Sequence, residues 1–162
     1  MPAEAGDFHA VFHRLCVALA AESTGIAQRT MEMSVEYAKD RKQFDRPIGS
    51  YQAVSHRCAQ MLLETENARS ATLYAAWTAD AEPESLPLAA SMAKAYSSDA
   101  GMRVADAAIQ VHGGIGFTWE HDLHFFLKRA TGNAAIFGDP KWHREQVAES
   151  VLADVVEPAA VA

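Results

Sequence analysis

The stretch from Tyr37 to Gln52 (Tyr-Ala-Lys-Asp-Arg-Lys-Gln-Phe-Asp-Arg-Pro-Ile-Gly-Ser-Tyr-Gln) constrains the fold more than any other part of the chain. Long helical patterns flank it, and breaker residues are concentrated in it. Asp45, Pro47 and Gly49-Ser50 should end the first helix near Arg41 to Phe44. Pro47 biases Arg46 away from helix. Ser50 can cap the next helix, with Ala53 and Val54 opening its apolar face. A guanidinium (Arg41), an amide (Gln43) and a ring (Phe44) therefore share one turn. Arg41 offers a rigid fork of donors suited to phosphate or carboxylate, and Gln43 and Gln52 can orient a ligand by hydrogen bonds. An ordinary helix-turn-helix corner, with Arg41 as a solvated charge, fits the same spacing.

On either side of the corner the periodicity is helical. From Asp7, a candidate cap, to about Asp40, the residues Phe8, Val11, Phe12, Leu15, Leu19, Ile26, Met33 and Tyr37 recur at steps of three and four. Gly25 interrupts this helix and marks either a close crossing or a local weakness. A second helix runs from Ser50 to about Asp80 and carries Val54, Cys58, Met61, Leu62, Thr65, Ala68 and Leu73. Glu82 to Pro87 is a turn, and Pro87 suits the first turn of a third helix, from about Leu88 to His112. Gly113 and Gly114 can supply left-handed backbone at its end. A loop to Trp119 leads to a short helix from about Glu120 to Arg129, broken by Thr131-Gly132-Asn133. Ala134 to Gly138 is ambiguous between helix and extended chain. Asp139-Pro140 reads as a cap and first-turn proline for a last helix to about Val156. No two-residue alternation competes. The expected fold is all-α: an antiparallel up-and-down four-helix bundle with a short additional helix. It spans residues 7–157, between tails 1–6 and 158–162.

Composition agrees. A chain of 162 residues with 49% apolar and 22% charged residues is globular and can bury one real core. A net charge of -7, with the basic residues dispersed, argues against nucleic acid as a partner. Cys16 and Cys58 lie within apolar helical patterns and read as reduced thiols of an intracellular, cytoplasmic protein. Glu4 and Asp7 stand where a signal peptide would be basic. The uncharged apolar runs look too short to span a bilayer, so no membrane partner is expected. His9/His13 and His121/His124 have spacings that metal ligands use. The chain lacks the Glu-x-x-His of bundle metal sites, so helix-surface histidines and no metal are expected. No Gly-x-Ser-x-Gly elbow and no Cys with a clear partner His suggests a nucleophile. Met31, Met33, Met61, Met92 and Met102 read as core filling.

Two motifs carry a resemblance. Arg41-x-Gln43-Phe44-x-x-Pro47-Ile48, with Gln52 after it, resembles the arginine-x-x-phenylalanine corner in the C-terminal helical domain of acyl-CoA dehydrogenases. Gln110-Val-His-Gly113-Gly114-Ile-Gly116-Phe117-Thr118-x-Glu120 resembles that domain's Gln-x-x-Gly-Gly-x-Gly-Phe/Tyr signature. The likeness covers roughly residues 10 to 155. It implies that Arg41, Gln43 and Phe44, with Ile48 and Gln52, reach the FAD of a partner subunit. It also implies that Gln110, Gly113 and Gly114 let backbone approach the adenosine diphosphate part of that FAD. Guanidinium and backbone N–H donors are the groups a pyrophosphate needs. Without the family, Gly113-Gly114 reads as a helix C-cap and turn. The chain departs from the family at Asp45, where glycine is common, and so has a carboxylate near a phosphate site.

A second departure concerns catalysis. Acyl-CoA dehydrogenation needs a carboxylate to take the α-proton while hydride leaves the β-carbon for the flavin. The family's usual base is the glutamate of a Tyr-Glu-Gly-Thr stretch. Gapless alignment from Gly116 puts Phe137-Gly138-Asp139 over Glu-Gly-Thr, so the base position holds Phe137. A minority of the family places the base on the first long helix, where counting back from Tyr37 gives Leu15. Asp139 is close enough to substitute, although Asp139-Pro140 is also a cap. The expectation is therefore a domain with no catalytic residue of its own. It would complete a partner's FAD site and form the core of a homo- or hetero-oligomer of acyl-CoA dehydrogenase-like subunits. The acyl-CoA would be held mainly by the partner, or by the helical and β-barrel domains that precede this one in the family. Two alternatives stay open: a piece of an active dehydrogenase using Asp139, and a helical oligomerisation module with no flavin role.

Overall fold

The computed structural model describes the backbone of residues 5–156 and the side chains of residues 8–153. Five helices make up the bundle: α1 (Ala5–Asp40), α2 (Gln52–Ala81), α3 (Leu86–His112), α4 (Leu123–Ala135) and α5 (Pro140–Val156). Helix α3 is central and packs against the other four. Arg14 near the start of α1 donates to the Ala79 carbonyl at the end of α2 (2.6 Å), so these two helices run antiparallel. Ile26 and Ala105 pack with Ala130 on α4, and Lys94 meets the Asn133 carbonyl, so α4 runs back along α3. Arg144 on α5 pairs with Asp99 on α3. Helices α4 and α5 thus form the two halves of a fourth column, interrupted at Ile136–Asp139. The expected four-column bundle is present, with its extra helix made by breaking the fourth column.

The core is built from small residues. On α1 the buried stripe is Cys16, Ala20, Ser23, Ala27, Thr30, Ser34 and Ala38, at steps of three and four. Three of the large apolar residues expected to face inward, Phe8, Val11 and Leu15, are exposed instead. A small-residue stripe lets the helices approach closely, and buried hydroxyls return their protons to carbonyls within the helix. Ser34 Oγ donates to the Thr30 carbonyl at 2.7 Å, and Thr65 Oγ1 to the Met61 carbonyl at 2.8 Å, whereas Ser23 Oγ is buried without a partner among the described residues. A close crossing of α1 and α3 falls at Gly101, where an added Cβ would lie 3.2 Å from the Ser23 carbonyl oxygen. Gly25 faces open space, so it marks the local weakness and not the crossing.

Several other expectations change. Helix α1 begins at Ala5, so Asp7 lies inside it; the Asp7 side chain is outside the described residues. Tyr51, not Ser50, precedes α2 as its N-cap; Ser50 Oγ instead donates to the Pro47 carbonyl (2.7 Å) inside a 3-10 turn. Two short strands do form, β1 (Lys42–Gln43) and β2 (Arg46–Pro47). Helix α4 runs through Thr131-Gly132-Asn133, because packing on both sides of this stretch outweighs the poor propensity of Gly and Asn. His112 and His143 are buried, not on a helix surface, and Met92 is exposed. Over Phe8–Asp40, α1 is long and apolar enough to cross a bilayer. Its Ala, Val and Leu residues raise its average apolarity, and its inward stripe is spent on the bundle core. Among the described residues no three His, Cys, Asp or Glu side chains converge as metal ligands would.

Candidate functional site

The corner after α1 is a small hairpin. Lys42 pairs with Pro47 and Gln43 with Arg46, leaving Phe44 and Asp45 as a two-residue loop. Both have positive φ, 52° and 62°, as a type I′ turn requires. Glycine is at ease there, and aspartate is among the few residues that tolerate it. The loop is braced from behind. Tyr51 Oη donates to the Gln43 carbonyl (3.1 Å), and the Arg46 guanidinium sits 4.0 Å over the Tyr51 ring. The Ile48 N–H donates to the Arg41 carbonyl (2.8 Å). Gly49 presses on α1, where a Cβ would stand 3.0 Å from the Ala38 carbonyl oxygen. Arg46 is thus committed to the hairpin. Arg41 is exposed and has no ion pair or side-chain hydrogen bond among the described residues. Phe44 is 88% exposed, Gln52 is exposed, and the Gln43 amide donates only to the Lys42 carbonyl beside it. Behind the hairpin lies an apolar cavity of about 340 Å³, between Val35, Ala38, Pro47 and Cys58.

The second corner follows α3. Gly113 takes positive φ (63°) while Gly114 does not, so only one of the two glycines supplies left-handed backbone. Gly113–Phe117 then winds into a 3-10 turn. Gly116 folds back tightly, and a Cβ on it would be 2.9 Å from the Ile109 carbonyl oxygen. Gly113 and Gly114 face open space, so a ligand can approach their backbone. Gln110 is exposed on the last turn of α3.

A contact absent from the sequence reading joins the two corners. Tyr37 stacks on His112, with ring centroids 4.4 Å apart and planes 22° apart. Tyr37 also accepts the Arg41 N–H at its carbonyl (2.9 Å), and His112 stands between Gln110 and Gly113. Ile48, Ile109 and Val111 share one apolar cluster beneath. The only sequence signal was position: a ring one helical turn before Arg41, and another directly before the glycines.

Residue 137 is elsewhere. Phe137 (φ 58°) and Gly138 (φ 96°) form the break between α4 and α5. Buried groups hold this turn. Lys94 has no exposed surface; its Nζ donates to Ser98 Oγ (3.1 Å) and to the Asn133 and Gly138 carbonyls (2.9 and 3.1 Å). His143 Nε2–H donates to the Phe137 carbonyl (3.0 Å). Burial pushes the Cys16 thiol up to about 11 and the His143 imidazole down to about 4. Asp139 Oδ1 accepts the Trp142 N–H (2.7 Å), so this carboxylate is engaged as the N-cap of α5. The Phe137 ring packs edge-on to Phe12, at 6.0 Å. Cys16, which reaches the Phe137 carbonyl, and Asp40, beside the hairpin, are separated by about 36 Å along α1.

The pattern of the acyl-CoA dehydrogenase C-terminal domain matches residues 9–152. The chain belongs to this family. Its members are FAD-dependent. The acyl-CoA dehydrogenase FadE34 of Mycobacterium tuberculosis is 47% identical over 132 residues, 80% of this chain and 19% of that one. Butyryl-CoA dehydrogenase from Megasphaera elsdenii superposes with a TM-score of 0.83 at 28% identity, over 89% of this chain and 37% of that one. A chain of the Mycobacterium tuberculosis ChsE4–ChsE5 complex gives 0.83 at 29%, over 91% and 39%. The acyl-CoA dehydrogenase domain described here thus spans well under half the length of these relatives.

Proposed function

We propose that this domain completes the FAD site of a neighbouring acyl-CoA dehydrogenase-like subunit and does not itself abstract the substrate proton. The observation that carries the proposal is the Tyr37–His112 stack, which brings both motifs to one end of the bundle. The Arg41 guanidinium, with no competing carboxylate paired to it among the described residues, would meet the pyrophosphate. Gln43, Phe44, Ile48 and Gln52 would flank the nucleotide, and Gln110 with the Gly113 and Gly114 backbone would approach its adenosine diphosphate part. FAD, when bound, supplies the acceptor for the substrate's β-hydride. The turn at Phe137 is set back from this end by roughly 36 Å of α1, a separation that favours a nucleotide held mainly by another subunit. The ChsE4–ChsE5 structure is a complex of two different chains, and a heteromer of that kind fits this domain. Phe137 offers no proton acceptor, and Asp139 is engaged as a helix cap, which weighs against its service as a base.

Reconstitution tests the proposal. The chain is mixed with FAD and an acyl-CoA dehydrogenase-like flavoprotein subunit, and flavin retention and acyl-CoA oxidation are measured. The mixture should hold flavin and lose it with Arg41→Ala, while the chain alone should not oxidise acyl-CoA. Activity of the chain alone, or unchanged flavin retention by Arg41→Ala, would overturn the reading.

A further inference from the structure

We infer that His112 is a positioning residue for this site, the link that fixes the Arg41 hairpin relative to the Gln110–Gly114 turn. The inference rests on the reading above but makes a separate claim. Its basis is a column of rings through three elements. Tyr37 on α1 stacks on one side of His112. On another side is His121, in the segment before α4, at 4.6 Å and 61°. The His112 ring cannot easily turn, because its Nδ1–H donates to the Ala108 carbonyl at 2.8 Å and only 4% of the residue is exposed. His121 is tied down in turn: its Nδ1 accepts the Leu123 N–H (3.4 Å) and its carbonyl accepts Nδ1–H of His124 (2.8 Å). Gly116 closes over the column, where a Cβ would lie 3.3 Å from the His112 Cβ.

The column matters because neither corner is rigid by itself. The hairpin has two-residue strands, and a hairpin of that size is marginal alone. The second corner is a single 3-10 turn entered through a glycine. Nothing in the local sequence of either sets their separation, yet a diphosphate gripped from both needs that separation held to a fraction of an ångström. Tyr37 transmits the position of His112 directly, since its own carbonyl holds the Arg41 N–H. Stacking is a property of the ring, so phenylalanine at 112 should serve and alanine should not.

Amide hydrogen exchange on the chain tests the link. In His112→Ala, the Arg41 and Ile48 amides in the other corner should exchange about tenfold faster, as a local opening would require. His112→Phe should restore protection. If His112→Ala does not fold, Tyr37→Leu gives the reciprocal test, with faster exchange at Thr118, whose N–H donates to the Ile115 carbonyl. Unchanged exchange across the column in a folded variant overturns the inference. Titration of the chain, mixed with its flavoprotein partner subunit, with ADP then separates the two claims. If Arg41→Ala weakens ADP binding while His112→Ala and His112→Phe bind alike, the positioning role falls and the cofactor reading stands. If exchange is coupled but Arg41→Ala leaves ADP binding unchanged, the cofactor reading falls and the link stands.

Discussion

Lys94 places a cation in the core with no carboxylate hydrogen-bonded to it among the described residues. Desolvation lowers its pKa, and the carbonyls of Asn133 and Gly138 offset part of that cost. Asn133 is in the last turn of α4, where carbonyls lack helical partners and a positive charge is favoured. Lys94 therefore acts as a tertiary C-cap. Lys94→Met keeps the volume but orphans both carbonyls, and should cost about 2–4 kcal/mol in urea unfolding. His143 makes a prediction with a sign. Burial lowers its folded pKa to about 4, against about 6.5 unfolded. Above pH 6.5 both states are neutral and no penalty applies. As pH falls from 6.5 to 4, the unfolded chain binds a proton that the folded chain refuses. Stability should drop by up to about 3 kcal/mol across that window. His143→Gln should flatten this part of the acid limb relative to the parent, measured as the difference in urea midpoints at pH 7 and near pH 4.5. An identical pH dependence in the two proteins would refute it.

At the scale of elements, the glycines show where packing overrules propensity. Gly25 and Gly132 are helical and face open space. Alanine at either should stabilise by about 0.5–1 kcal/mol. Gly101→Ala should destabilise, because its Cβ would push α3 off the Ser23 carbonyl; thermal melts of the three variants would rank them. The same contrast explains how legible the fold was. Helix existence and order could be read from periodicity, and Asp139-Pro140 identified the start of α5 correctly. Helix faces were misread because the core is Ala, Ser and Thr, so large apolar residues did not mark the inside. The crossing at Gly101 was hidden in a run of small residues, while the more conspicuous Gly25 proved unimportant to packing. Helix α4 outran its breakers because tertiary contacts, invisible in the chain, cap it from α3.

For the whole molecule, both motifs of the candidate site were legible as residues, but their convergence was not. It depends on Tyr37 meeting His112 across two helices, and no spacing rule connects them. The outer surface raises the remaining question. Leu73, Tyr74 and Trp77 on α2 are exposed at 62%, 49% and 51%, and the last two rings stack on each other. Exposed apolar side chains grouped on one helix make this face a candidate site of association. The net charge of -7 opposes contact between copies, so any self-association through this patch should strengthen as salt screens the repulsion. Sedimentation at low and high ionic strength should therefore show larger species in the high-salt sample. Leu73→Lys combined with Trp77→Lys should shift any assembly through this face toward monomer at both, with helicity by circular dichroism unchanged because both side chains are more than half exposed. Assembly that persists in the double variant would place the interface on another face of the bundle, and the α2 patch would then be free to meet a different subunit.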